Sequence, residues 1–197
     1  MRKALSILIS AGLLSLSACG GTTNVPEDHY YRLEIQSPQS SAQKIKGIIE
    51  VDRFTADGLT AGRPIVYSNR AKANELKEYH YHFWVEAPPV LLRDQLVRYM
   101  RTAGIATNVV TPEMRIEPNV AVQGRIVRLE QVLGTPNAVV LELEFGVKDI
   151  DNERLMMLKT YRIEKPAEDA GVGAALQAFN AAVADAFALF IKDMPQQ

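Results

Sequence analysis

Glu78, His80 and His82 stand two residues apart in a run that alternates like a strand, which places side chains of one face about 7 Å apart. That spacing is within reach of one metal ion, and it makes His80 and His82 the weak candidate ligands of the chain. No second histidine cluster supplies the remaining ligands, and His29 has no companion in sequence. A wet sheet face explains the same spacing, so no metal and no cofactor is expected. Gly171-Val172-Gly173 opens a helix after a strand, but Leu176 stands where a dinucleotide fingerprint needs its third glycine. A phosphate-cradling Gly-x-x-x-x-Gly-Lys, a Gly-x-Ser-x-Gly elbow and a His-Glu-x-x-His helix are all absent from the sequence. Glu142 and Glu144 could suggest acid–base work, yet both fall on the polar side of an alternating strand. No catalytic residue is expected, and the chain reads as a non-enzyme.

One nucleophile remains, Cys19, the single cysteine of the chain. Arg2 and Lys3 precede an apolar run from Ala4 to Leu16, and Ser17-Ala18 lead into Cys19. The run is too short to span a bilayer, which takes about 20 apolar residues. Leu16-Ser17-Ala18-Cys19 resembles the processing site of a bacterial lipoprotein signal. That resemblance implies removal of residues 1–18 and a Cys19 carrying a thioether-linked diacylglycerol and an amide-linked acyl chain. Several chains matter, because one chain alone holds a protein to a membrane only marginally. Gly20 stands where, by resemblance to enteric lipoproteins, an aspartate would signal inner-membrane retention. The expected location is therefore the periplasmic face of the outer membrane. A single cysteine allows no internal disulfide, so stability must come from a packed core.

With Arg2 and Lys3 removed from 22 basic residues, against 23 acidic ones, the mature chain is close to neutral and slightly acidic. No basic field recruits nucleic acid, and Arg125 and Arg128 lack the aromatic interleaving of a strand-binding groove. Gly20 to Asp28 has no apolar period and reads as a flexible tether, which defines residues 19–28 as lipidated cysteine plus linker. Residues 29–194 remain for one domain of ordinary size.

Within that domain, Tyr30 to Ile35 and Ile45 to Val51 read as strands, Pro64 to Tyr67 as a short one, and Glu75 to Val85 as an alternating one. The last places Tyr79, Tyr81, Phe83 and Val85 on one side and Glu78, His80, His82 and Trp84 on the other. Pro88-Pro89 open a helix that Gly104 should stop, with Leu92, Leu96, Tyr99 and Met100 as its buried stripe. Ala106 to Val110 returns to the sheet. Val120 to Leu133, Ala138 to Asp149 and Arg154 to Glu164 form an antiparallel meander, with a bulge near Arg125 to Val127 where the apolar phase changes. Gly171 to Ile191 is a closing helix. The expected fold is α+β: a single, mostly antiparallel sheet of about six to eight strands with two amphipathic helices packed on one face.

Together the lipoprotein start, Tyr30-Tyr31-Arg32-Leu33, Arg63-Pro64-Ile65-Val66-Tyr67 and Tyr81-His82-Phe83-Trp84 leading into Leu91-Leu92 resemble the ABC-type transport auxiliary lipoproteins, the PqiC-like family. The chain departs from that pattern in two places. Val85 to Pro89 separate Trp84 from the helix, and Ser68 follows the strand tyrosine where arginine is common. The resemblance implies an accessory role beside an MCE-domain protein, an ABC permease and an ATPase that together move lipids across the envelope and support membrane integrity. Tyr30, Tyr31, Tyr67 and Trp84 are the candidate partner-binding residues, since aromatic anchors dominate many interfaces; strand and core packing is the plainer explanation for them. Self-association into a ring would fit a conduit, so a homo-oligomer stands among the expectations. A stand-alone envelope scaffold, binding an assembly machine or a cell-wall enzyme, would share this signature. A lipid carrier would need an enclosed apolar cavity.

Overall fold

Val120–Leu133, the strand β7, organises the molecule, because every other layer is built outward from its two edges. The computed structural model describes residues 25–196; the signal region and Cys19 lie outside the described residues. In chain order the strands are β1 (His29–Tyr31), β2 (Ile45–Val51), β3 (Thr55–Ala56), β4 (Pro64–Asn69), β5 (Lys72–Trp84), β6 (Ala106–Val110), β7, β8 (Ala138–Asp149) and β9 (Arg154–Pro166). Helix α1 (Pro88–Ala103) precedes β6, and α2 (Val172–Asp193) closes the chain.

One edge of β7 pairs antiparallel with β8 along its whole length, from Val120 opposite Asp149 to Val132 opposite Ala138, and β9 continues the meander. The other edge is shared by three strands in succession, all parallel to it. β2 pairs from Ile49 opposite Val120, β3 pairs Thr55 with Arg125, and β4 pairs Tyr67 with Gln131. β6 then adds to β2 in parallel, β5 adds to β4 antiparallel, and β1 adds to β5 in parallel. The fold is thus α+β in a single domain, but the sheet has nine strands and is mixed rather than mostly antiparallel. The physical reason is that tight turns force antiparallel neighbours, whereas β2, β3 and β4 reach β7 across long connections that leave no local mark in the sequence.

The meander follows its sequence pattern. Val139, Leu141, Leu143, Phe145 and Val147 are fully buried on one face of β8, as period-two alternation requires. The register of β7 shifts between Ile126 and Arg128, which leaves Val127 outside the ladder as the expected bulge. Helix α1 starts on Pro88-Pro89 and ends where Gly104 adopts the left-handed conformation at φ 69°. Helix α2 is long and apolar enough to cross a membrane by length and composition alone. It is a core helix here. Ala175, Ala182 and Ala186 let it approach closely, and Phe187 and Phe190 pack on Phe145 at ring separations of 6.3 and 4.3 Å. Both helices bury their apolar sides in one cluster with the sheet, joined by Tyr99 of α1 against Phe187 of α2.

Two sequence expectations are corrected. Tyr30 to Ile35 is not one strand: β1 ends at Tyr31, and Leu33 continues as irregular chain whose carbonyl accepts a hydrogen bond from buried Gln95 Nε2 at 2.9 Å. The alternation assigned to Glu75–Val85 also breaks. Between Pro64 opposite Phe83 and Val66 opposite Glu78, β4 advances two residues while β5 advances five. The chain over residues 79–82 therefore bulges, which resets which side chains share a face.

Candidate functional site

That bulge builds the most distinctive cluster in the molecule. Because β1 pairs in parallel with the end of β5, His29 lies opposite His82, Tyr30 opposite Phe83 and Tyr31 opposite Trp84. Five rings then form a ladder across three strands. Tyr67 of β4 meets Tyr79 at 4.5 Å, Tyr79 meets His82 edge-on at 5.4 Å, and His82 stacks on His29 at 5.2 Å and leans on Tyr31 at 5.7 Å. Three of the five rings also have their polar tips paired. Tyr31 Oη and His82 Nδ1 are hydrogen-bonded at 2.8 Å. Tyr79 donates to Gln131 Oε1 at 2.9 Å, and Gln131 Nε2 donates to the Ala170 carbonyl at 3.0 Å, beside the start of α2.

Burial shifts the protonation of three of these rings. Desolvation holds the His82 imidazole below its ordinary pKa, with His29 adding to the effect, so the fold favours the neutral ring. The same loss of water raises the phenols of Tyr31 and Tyr79, the latter with a contribution from Tyr67. On the outside of the ladder, Tyr30 stacks on Phe83 at 5.7 Å, and the Arg63 guanidinium lies 5.2 Å from the Tyr30 ring centroid. Arg63 Nε also donates to the Trp84 carbonyl at 3.1 Å, which locks the end of β5 to the start of β4.

The sequence-selected residues separate by burial. Tyr30 is 54% exposed. Tyr31 and Tyr67 are half-buried members of the ladder. Trp84 is corrected: at 1% exposure it is a core residue, packed edge-on against Phe179 at 5.5 Å, and has no surface to offer a partner. The bulge that breaks the alternation is the reason. His80 and His82, the weak candidate ligands, are not brought together, for His82 joins the ladder while His80 is exposed beside Tyr81. Among the described residues, no group of three or more His, Cys, Asp or Glu side chains could hold a metal ion. Sequence reading missed His29, Tyr79 and Gln131 as partners of one cluster. Their companionship depends on parallel pairing and on a bulge, and neither has a short-range signature.

Elsewhere the polar groups are internally satisfied. Glu142 accepts from Arg162 at 3.2 Å across the sheet, and Gly171 caps α2 after an antiparallel strand rather than a parallel one. A cleft of about 720 Å³ runs between residues 32–38 and α1 and mixes Arg32, Arg98 and Arg101 with Glu34, Glu86 and Asp94. Among the described residues, every buried side-chain nitrogen or oxygen has a hydrogen-bond partner. None is left waiting for a ligand.

A mixed sheet covered by two helices, with a ring-rich edge, defines a single-domain α+β module among the described residues. The chain belongs to the family described as the ABC-type transport auxiliary lipoprotein component, whose model matches residues 31–188. No curated protein matches it by sequence. Among solved structures it is similar to protein XCC0632 from Xanthomonas campestris, at 18% identity and a TM-score of 0.74 over 83% of this chain and 92% of that one. It is also similar to PelC from Paraburkholderia phytofirmans, described as a dodecamer, at 10% identity and a TM-score of 0.50 over 84% and 98%. At these identities the likeness is one of fold. The family description makes the chain an envelope-associated bacterial lipoprotein of an ABC-type transport system.

Proposed function

We propose that the protein is a non-catalytic adaptor, held by acyl chains on Cys19 at the periplasmic face of the outer membrane, that positions an MCE/ABC-type lipid transporter. Its partners in this reading are an MCE-domain protein, a permease and an ATPase, and its loss weakens membrane integrity. The observation that carries it is the family match, which spans nearly the whole described domain. A filled core supports an adaptor over a carrier, since Phe145, Phe179, Phe187 and Phe190 occupy the space between sheet and helices. Tethering acts by raising the local concentration of partners rather than by adding contacts. Self-association belongs to the same reading, with PelC as a fold relative described as an oligomer. Tyr30 is the sequence-selected aromatic we keep as a contact residue.

Affinity capture from detergent-solubilised envelopes tests the reading. Recovery of MCE, permease and ATPase partners is expected, and recovery of a cell-wall enzyme or assembly machine alone would favour the scaffold alternative. Repeating the capture with Cys19→Ala separates recognition from placement. Partners retained by a now soluble protein mean that the domain recognises them and the lipid only positions it.

A further inference from the structure

We infer that the outer edge formed by β1 and β5 is the surface on which the domain rests against zwitterionic phospholipid headgroups of the membrane that holds its anchor. The inference depends on the acylation of Cys19 proposed above and adds to it an orientation. The described chain enters the fold at this edge and nowhere else, through Val25 to Asp28 directly into His29. Cys19 precedes His29 by so few residues that even a fully extended chain reaches about 35 Å.

Composition at the edge fits a headgroup layer. All three histidines of the chain lie in β1 and β5, and five of its seven tyrosines, Tyr30, Tyr31, Tyr67, Tyr79 and Tyr81, lie in β1, β4 and β5. Tyr30, Leu76 and Tyr81 are 54%, 45% and 44% exposed. Tyrosine, with an apolar ring and a polar tip, is enriched where hydrocarbon gives way to water. Both signs of charge accompany the rings. Arg63 lies over Tyr30, whose hydroxyl donates to Asp28 Oδ2 at 3.3 Å, and Lys77 pairs with Glu75 at 2.9 Å. Such mixed pairs match a headgroup that carries a phosphate and an amine together.

The same edge is guarded against a protein strand. β1 covers β5 only at His82–Trp84, and the rest of its outer edge is unpaired among the described residues. Exposed Lys72 and Lys77 and the bulge at residues 79–82 are the devices that keep an open edge from adding a neighbouring strand. Free backbone N–H and C=O groups there remain available to headgroup oxygens and amines.

The test uses the full lipidated protein in vesicles of phosphatidylethanolamine and phosphatidylcholine, with no other protein present. Cys19 is the sole cysteine and is acylated in this reading, so a cysteine placed elsewhere is the one free thiol. Tyr81→Cys and Leu76→Cys carry a fluorophore at the proposed edge. Leu158→Cys carries it on β9, beyond β8, β7 and β4 from that edge. Quenching by a lipid spin-labelled on its headgroup should be several-fold stronger at positions 81 and 76 than at 158. Equal weak quenching at all three, in protein that floats with the vesicles, overturns the proposal and leaves the anchor standing. A reversed pattern does the same. Protein that fails to float overturns the anchor reading and the orientation with it. Both edge positions are half exposed and outside the core, so two independent labels guard against one misfolded variant.

Discussion

The meander and the β1–β5–β4 edge are two halves of one sheet held together by different physics. On the meander side, β7, β8 and β9 pair antiparallel over long ladders interrupted only by single-residue bulges, and press a dry aliphatic and phenyl face onto α2. On the edge side, β5 carries a multi-residue bulge, β1 is three residues long, and the ladder rings that pack there are tyrosines and histidines, with the polar tips of Tyr31, His82 and Tyr79 bonded. The first half is built to be stable. The second sets polar groups among half-buried rings beside exposed ones, which suits a surface that touches something else.

The sharpest way to break this comparison is to hollow out the meander. Phe145 is fully buried against Phe54, Phe187, Phe190 and Tyr161. Phe145→Ala should cost about 3–5 kcal/mol in denaturant unfolding. A loss below about 1 kcal/mol would mean that the core repacks freely and the two halves do not differ as described.

A smaller loss is expected where the ladder meets β7. Gln131 is fully buried and joins Tyr79 to the Ala170 carbonyl. Gln131→Leu should cost about 1–3 kcal/mol, since it leaves two polar groups without a partner. Tyr79→Phe, which removes only one hydroxyl, should cost about 1 kcal/mol. Equal losses for the two variants would show that the bonds on Gln131 do not act as a chain.

Acid should distinguish the halves next. His82 has its folded pKa depressed below 6.5, by burial first and His29 second, so the folded state binds fewer protons than the unfolded chain just below that pH. Its contribution is complete above about pH 6.5 and is lost as pH falls from there through the depressed value. The wild-type denaturation midpoint should therefore drop over that window more than the midpoint of His82→Gln. Superimposable pH profiles would remove His82 from the account. Least of all should follow from Leu155→Ser and Leu158→Ser on β9. These side chains are 61% and 62% exposed, and the changes should move stability by no more than about 0.5 kcal/mol.

The two halves also differ in how far the sequence betrays them. Period-two alternation in Val139 to Val147, the Gly104 stop and the apolar spacing of Phe179, Val183, Phe187 and Phe190 are local signals, and the elements they mark are present with nearly those bounds. Even the bulge at Val127 is visible as a phase change in the apolar pattern. At the edge, the same alternation rule assigned Trp84 to the wet face and paired His80 with His82. The rule assumes a regular strand, and residues 79–82 are not one. The partnership of His29 with His82 was out of reach for another reason. Parallel pairing joins residues distant in sequence and needs no turn motif to do it. Ring content around positions 30, 67 and 81 was legible; which rings touch was not.

The shared edge of β7 has a consequence for the order in which the chain can become a protein. β2, β3 and β4 all dock on a strand that begins only at Val120, and the sheet they enter is sealed by a helix that ends at Asp193. A polypeptide delivered N-terminus first can close the β4–β5 hairpin, add β1 to β5 and later pair β6 with β2, but these pieces have no common strand to join until β7 arrives. Non-local closure of this kind is slow and leaves the chain open for longer. Such late assembly favours threading through a narrow channel as an extended strand, with the finished shape acquired only on the far side.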